Sequence, residues 1–184
     1  DWSYDNRRVD LVKEGFDAAI GGGIAPDANV VARQLLPIVP ITVASPSYLA
    51  AHGTPATPED LARHDCIRLR SATSGRLREW TFEIDGETRT VPVDGRVILS
   101  DVEAVRDAAV AGMGLARVGA YQALPWLDDG RLVRILAGFP GPGGAVQVYY
   151  AHNRLTPPKV RAFVEFLTES FAVSPLLARL TSMS

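Results

Sequence analysis

Short β-like runs alternate with helix-length runs along the whole chain, and this alternation narrows the possible folds more than any other feature. Runs at 16–20, 30–36, 38–44, 66–69, 96–99, 115–118, 132–136 and 145–150 have the length and composition of strands, and a further one at 2–5 opens the chain. Strands separated by helices predict an α/β sheet whose parallel pairs are joined by crossovers. The exception is 79–99, where Trp80, Phe82 and Ile84 alternate with polar residues, Asp85-Gly86 offers a turn, and Val91 and Val93 resume the alternation at 89–93. That pattern predicts an antiparallel hairpin. The helix-strand succession restarts after Ala44, which favours two lobes over one.

The helices announce themselves by their caps. Ser45-Pro46 opens one that runs to about His52, with Pro at the first helical position, where its missing N–H costs nothing. Thr57-Pro58-Glu59-Asp60 opens a second, short one. The third begins in LSDVEAVRDAAVAGMGLARVGAY, residues 99–121, where Val102, Val105, Ala109 and Gly112 share a stripe. Ser100 and Glu103 fit the capping box S-x-x-E, and Gly112 or Gly114 suits the C′ position. A fourth opens at Thr156-Pro157 and carries Val160, Phe163, Val164 and Leu167 at i, i+3, i+4 and i+7.

Composition excludes several classes of function. With 184 residues, 47% of them hydrophobic and 22% charged, the chain can build a real core. A net charge of −2 leaves no basic field to hold a phosphate backbone, so these residues alone are not expected to bind DNA well. The single cysteine, Cys66, forms no internal disulfide, no window has the apolar length of a membrane span, and no signal pattern opens the chain. A cytoplasmic location is expected. The chain starts at Asp1, not Met, and reads as a piece of a longer protein.

Candidate chemistry is sparse. His64 lies two residues from Cys66, but no strand-turn-helix elbow or orienting third group follows, and a buried free Cys beside a surface His is the simpler reading. With one Cys and three dispersed histidines, His52, His64 and His152, no metal site is expected. Gly21-Gly22-Gly23 follows the strand FDAAI and could cradle a ligand, but neither GxGxxG nor GxxxxGK[ST] is present, so no nucleotide cofactor is expected. Arg68, Arg70, Arg76 and Arg78 flank the loop SATSG and read as a solvated hairpin face. The start of the helix after Leu99 is different: free N–H groups and a positive dipole there suit an anion if the end faces a cleft.

Several strings in order carry a resemblance: VDLVKEGFDAAI, VARQL, ASPSYLAAHGTPATPEDLARHDCI, LSDVEAVRDAAVAGMGLARV, GRLVRIL and LTPPKVRAFVEFL. Together they resemble the effector-binding domain of LysR-type transcriptional regulators over nearly the whole chain. The resemblance implies an α/β fold of two Rossmann-like subdomains joined by two crossover strands, like type 2 periplasmic binding proteins, with a small-molecule cleft between them. It maps subdomain I to 1–43 and 151–184, with its first strand and helix missing, and subdomain II to 44–150.

The same resemblance implies no catalysis, and effector contacts from Gly21, Gly22 and Gly23, from Thr42, Val43 and Ser45 at a crossover, from Ser100 and Asp101, and from Val118, Gly119 and Tyr121. Asp101 would repel an anionic effector unless it turns outward. The implied partners are a small-molecule effector, a second copy in a dimer or tetramer, and DNA, the last only through a winged helix-turn-helix that lies outside this sequence. A solute-binding protein of a transport system shares the two-lobe fold and is the alternative.

Overall fold

The computed structural model describes residues 1–4, 9–11, 13–22, 30–152 and 156–183, and they divide into two compact units. The larger unit is built on Val39–Pro142. Its sheet has the order β7-β4-β8-β3-β9, from β3 (Pro40–Ala44), β4 (Cys66–Leu69), β7 (Ile98–Leu99), β8 (Leu115–Gly119) and β9 (Val133–Ile135). β4 runs parallel to both β7 and β8, in register Leu69 to Leu99 and Cys66 to Leu115. β3 runs antiparallel to β8 and β9, with Pro40 opposite Gly119 and Ala44 opposite Val133. The sheet is therefore mixed, not wholly parallel.

The alternating stretch forms the expected hairpin, β5 (Trp80–Ile84) against β6 (Glu87–Val91). Its turn residues Asp85 and Gly86 have φ of 55° and 80°, the left-handed pair that a two-residue turn between twisted strands demands. The inward-facing Trp80, Phe82 and Val91 pack against Tyr48, Leu61, Cys66, Leu115 and Ile135 in the core. Phe82, Leu61 and Leu115 are wholly buried.

Around this sheet lie α1 (Pro46–His52), a 3-10 turn (Pro58–Arg63), α2 (Val102–Val110) and α3 (Ala120–Asp128). The Ser45 hydroxyl caps α1 by accepting from the Tyr48 N–H at 3.2 Å. At the 3-10 turn the Asp60 carboxylate accepts from the Ala56 and Thr57 amides, both at 3.0 Å, and these bonds hold its pKa below the usual carboxylate value. Helix α3 escapes sequence inspection because Pro125 sits inside it, where the ring removes one backbone hydrogen bond and usually marks a helix end.

The smaller unit comprises residues 7–38 and 143–184, within the described ranges. Its antiparallel sheet has the order β1-β10-β2, from β1 (Ala19–Gly22), β10 (Gly144–Ala151) and β2 (Val30–Ile38). Helix α4 (Pro158–Ala172) covers one face, packing Val160 and Val164 on Leu35 and Val148. Helix α5 (Pro175–Thr181) follows, capped by the Ser174 hydroxyl, which accepts from Leu176 N–H at 3.3 Å. Its Ser-Pro start repeats the signal that marks α1, a signal passed over in the sequence because the run after it is so short.

Three expectations need correction. Trp2, Ser3 and Tyr4 are not in a strand, and Trp2 and Tyr4 are exposed, so this run buries none of the apolar surface that marked it as a strand; Asp5 lies outside the described residues. Gly21 and Gly22 do not follow a strand but form the end of one, paired with Gln147 and Val146. The cap of α2 is Asp101, not Ser100: the Asp101 carboxylate accepts from the Ala104 N–H at 2.8 Å. Starting the helix one residue later puts Glu103 at the second helical position, so the Ser100–Glu103 capping box does not form.

Candidate functional site

Parallel strands β4, β7 and β8 deliver their carboxyl ends, Leu69, Leu99 and Gly119, to one edge of the larger unit's sheet. Because β3 is antiparallel to β8, its first residue, Pro40, joins them there. Three chain turns leave from this edge: the loop from Arg70 to Arg78, the Ser100-Asp101 start of α2, and the Gly119–Tyr121 start of α3. In α/β sheets ligands gather at the carboxyl ends of strands, where loops are free to vary and helix N-termini point outward.

At this edge Ser100 is exposed, and Asp101 is turned onto the Ala104 amide. The carboxylate thus sits where an anionic ligand would meet the dipole of α2. Gly119 opens α3: its N–H donates to Gln122 Oε1 at 3.2 Å, and the Ala120 N–H donates to the Val39 carbonyl at 2.8 Å. A side chain at Gly119 would come within 2.9 Å of the Tyr121 ring. The absence of a Cβ lets that ring fold back over the strand end. Burial pushes the Tyr121 phenol above its ordinary pKa, Glu103 adds to the rise, and Arg78 opposes it. Arg78, Glu103 and Tyr121 therefore share one electrostatic neighbourhood. Arg70 is committed to the loop, donating from Nη1 to the Gly75 carbonyl at 2.9 Å.

The remaining residues that the resemblance nominated lie elsewhere. Thr42 and Val43 are buried in mid-sheet, and the Thr42 hydroxyl accepts from Arg117 Nη1 at 3.0 Å. Arg117 also donates to the Thr81 carbonyl at 2.8 Å and stands 4.1 Å over the Phe82 ring, locking the hairpin to the sheet. Burial lowers its pKa to about 10, which leaves it charged at neutral pH, and among the described residues no carboxylate pairs with it. Sequence reading missed Arg117 and Gln122: Arg117 lies in the string GLARV but has no local signal of its contacts with Thr42 and Thr81, and Gln122 directly follows the string that ends at Tyr121.

Val118 is buried in β8 opposite Ile41. Ser45 is buried at the opposite edge, beside the C-terminal end of α2, where a Cβ on Gly112 would come 3.5 Å from its hydroxyl. The structure brings Ser100, Asp101, Gly119 and Tyr121 to one edge and places Ser45 at the other. Gly21 and Gly22 belong to the smaller unit, and Gly23 lies outside the described residues.

The opposite edge holds a cleft of about 420 Å³ lined by Tyr48, His52, Asp65, Arg96, Val97, Gly112 and Met113. The buried Tyr48 hydroxyl accepts from the Asp65 N–H at 3.0 Å and lies 3.3 Å from His64 Nδ1. A phenol can meet that nitrogen as donor or acceptor, so this bond holds the ring in place in either tautomer. Burial lowers the His64 pKa, and His52 adds to the effect. Cys66 takes no part: its Sγ is directed at the Leu61 carbonyl, and burial pushes its pKa up to about 12, so it offers no thiolate at neutral pH.

Residues 2–172 match the LysR substrate binding domain family. The chain belongs to that family. The LysR-type domain is 34% identical over 169 residues to an HTH-type transcriptional regulator of Xanthomonas campestris, covering 91% of this chain and 49% of the relative. It is 33% identical over 172 residues to the regulator PtxR of Pseudomonas aeruginosa, covering 93% and 54%. It thus spans about half the length of these relatives.

Among solved structures it resembles the full-length virulence activator AphB of Vibrio cholerae, at TM-score 0.78 and 27% identity over 92% of this chain and 57% of that one. The CrgA regulatory domain of Neisseria meningitidis follows at TM-score 0.75 and 25% identity, over 87% and 78%. The fold expected from the resemblance, α/β and type 2 periplasmic-binding-protein-like, is the fold found. The LysR-type domain is a ligand-sensing regulatory domain, and these relatives and neighbours lend no support to the transport alternative. No helix among the described residues is long and apolar enough to cross a membrane.

Proposed function

We propose that the LysR-type domain binds a small-molecule effector at the carboxyl edge of β4, β7 and β8, without catalysis, and that in the whole protein this binding sets how a separate winged helix-turn-helix engages DNA. The observation that carries the reading is the convergence of Ser100, Asp101, Gly119 and Tyr121 on that edge. Ser100 and the Tyr121 phenol offer hydrogen bonds, and Arg78 and Glu103 offer both charges. With Asp101 seated on the α2 amide, the effector is recognised by donor and acceptor groups, not by the bare helix dipole. The resemblance also nominates Gly21, Gly22 and Gly23, of which Gly21 and Gly22 belong to the smaller unit and are not needed for binding at this edge. The domain acts in the cytoplasm and pairs with a second copy as a dimer or tetramer. A net charge of −2 leaves DNA contact to the other domain.

The test is a thermal-melting screen of this chain against aromatic and aliphatic acids, amines and alcohols. A binder at 100 times its Kd raises stability by about 2.7 kcal/mol. Ser100→Ala and Tyr121→Phe should each reduce that rise while Ser45→Ala should not. A response insensitive to Ser100 and Tyr121, or the loss of response on Ser45→Ala, would move the site away from this edge.

A further inference from the structure

The smaller unit carries a second cavity of about 420 Å³ between α4 and the strands it covers, lined by Arg33, Tyr150, Thr156, Arg161, Val164, Glu165 and Thr168. It lies at the far end of this sheet from the glycines of β1: Gly21 and Gly22 face Gln147 and Val146, whereas Tyr150 pairs with Val31 at the other end of β10. Arg33 stands directly opposite Val148, and Val148 is a wholly buried member of the core beneath α4. A charged side chain is thus placed on the helix-covered face, in the row that Val148 and Tyr150 continue. Arg33 itself is exposed, so it lines the cavity where this opens to solvent.

Among the described residues neither Arg33 nor Arg161 has an ion pair, and the half-buried Tyr150 hydroxyl has no hydrogen-bond partner. Thr168 is self-satisfied, donating to the Val164 carbonyl at 2.9 Å. On α4, Arg161, Val164, Glu165 and Thr168 fall at i, i+3, i+4 and i+7, so one helix face delivers them all to the cavity. Two guanidinium forks on different elements, a phenol and an apolar wall form the donor set that a carboxylate with an apolar body requires. The volume is that of a small-molecule site. Glu165, also without an ion pair among the described residues, stands at the same cavity and disfavours a dianion.

We infer that this cavity is a second ligand site, selective for small monocarboxylates, with the carboxylate held by Arg33 and Arg161 and the body lying on Tyr150 and Val164. It is independent of the effector edge in the larger unit, and all its lining residues belong to the smaller one.

The test uses the 184-residue chain, isotope-labelled, with phenylacetate as the probe and sulfate as the dianion control, read by amide and side-chain chemical shifts. Phenylacetate should produce saturable shifts at Tyr150, Thr156 and along the Arg161–Thr168 face, and these should persist in Tyr121→Phe. Arg33→Gln and Arg161→Gln should each weaken binding about tenfold or more, the loss of one charge-assisted contact, while Arg33→Lys should recover part of it. Both arginines are exposed, so the variants should fold as the parent does. Shifts confined to the neighbourhood of Ser100 and Tyr121, shifts unchanged by Arg33→Gln, or equal binding of sulfate would each overturn the assignment. The first of these would leave the effector reading standing.

Discussion

The two edges of the larger sheet spend their polar side chains differently. At the edge holding Ala44 and Ser45, the Ser45 hydroxyl, the Tyr48 hydroxyl and His64 are tied to backbone or to each other, and Ser45 and Tyr48 are buried. At the edge holding Leu99 and Gly119, Ser100 stays exposed, and Tyr121 lies half-buried within the electrostatic reach of Glu103 and Arg78. Helix α2 spans both, with Asp101 at one end and Gly112, against Ser45 and Ser47, at the other. The same residue types thus do structural work at one edge and are left available at the other. Sequence cannot separate them, because Ser45-Pro46 and Ser100-Asp101 look equally like caps.

The largest effect should come from Thr42→Val, which takes the hydroxyl acceptor from a buried guanidinium. Denaturant unfolding should show a loss of about 1–3 kcal/mol, with the effector response retained. An unchanged midpoint would mean that Arg117 does not depend on Thr42.

Next, Ser45→Ala and Asp101→Ala should each cost about 1 kcal/mol as lost helix caps. They should part in ligand assays, since Ser45 lies at the edge without the proposed effector. If both alter the response alike, the contrast between the edges fails.

A pH effect should mark the Ser45 edge. The folded-state His64 pKa is depressed, so its contribution to stability is fully present above the unfolded value near 6.5 and is lost as pH falls through the lower folded value. Unfolding at pH 7.5 and 5.5 should show that loss, and His64→Gln should remove part of it. A pH dependence identical in the variant would assign it to other groups.

The smallest stability effect belongs to Ser100→Ala, within about 0.5 kcal/mol, because an exposed side chain that caps nothing is replaced. Its ligand response should nonetheless fall. A loss near 1 kcal/mol would restore Ser100 as a cap.

Much of the fold was legible. The period-two pattern of Trp80, Phe82 and Ile84 with Asp85-Gly86 specifies the hairpin and its turn, since turn chemistry and alternation agree. The second strand runs over Glu87–Val91 instead of 89–93, because pairing resumes directly after the two-residue turn. Strand β4 appears over the same residues that were expected, and Cys66 is the buried, inert thiol its surroundings suggested. Helix α3 was hidden by Pro125, and the cap of α2 was misplaced by one residue because Ser and Asp compete for the same role.

The sequence by itself determined the α/β class, the helix faces and the absence of a basic field, because periodicity and charge are local or additive properties. Only the tertiary structure decided strand direction, and direction decides which ends share an edge. With β3 antiparallel to β8, Pro40 meets Gly119 while Ser45 is carried to the other side, so residues adjacent in a list of candidates are separated by the length of a strand. Pairing of Arg33 with Val148 likewise follows from register between segments more than a hundred residues apart. No local pattern encodes that distance, and so the two arginines of α4 and β2 meet at one cavity only in the folded chain.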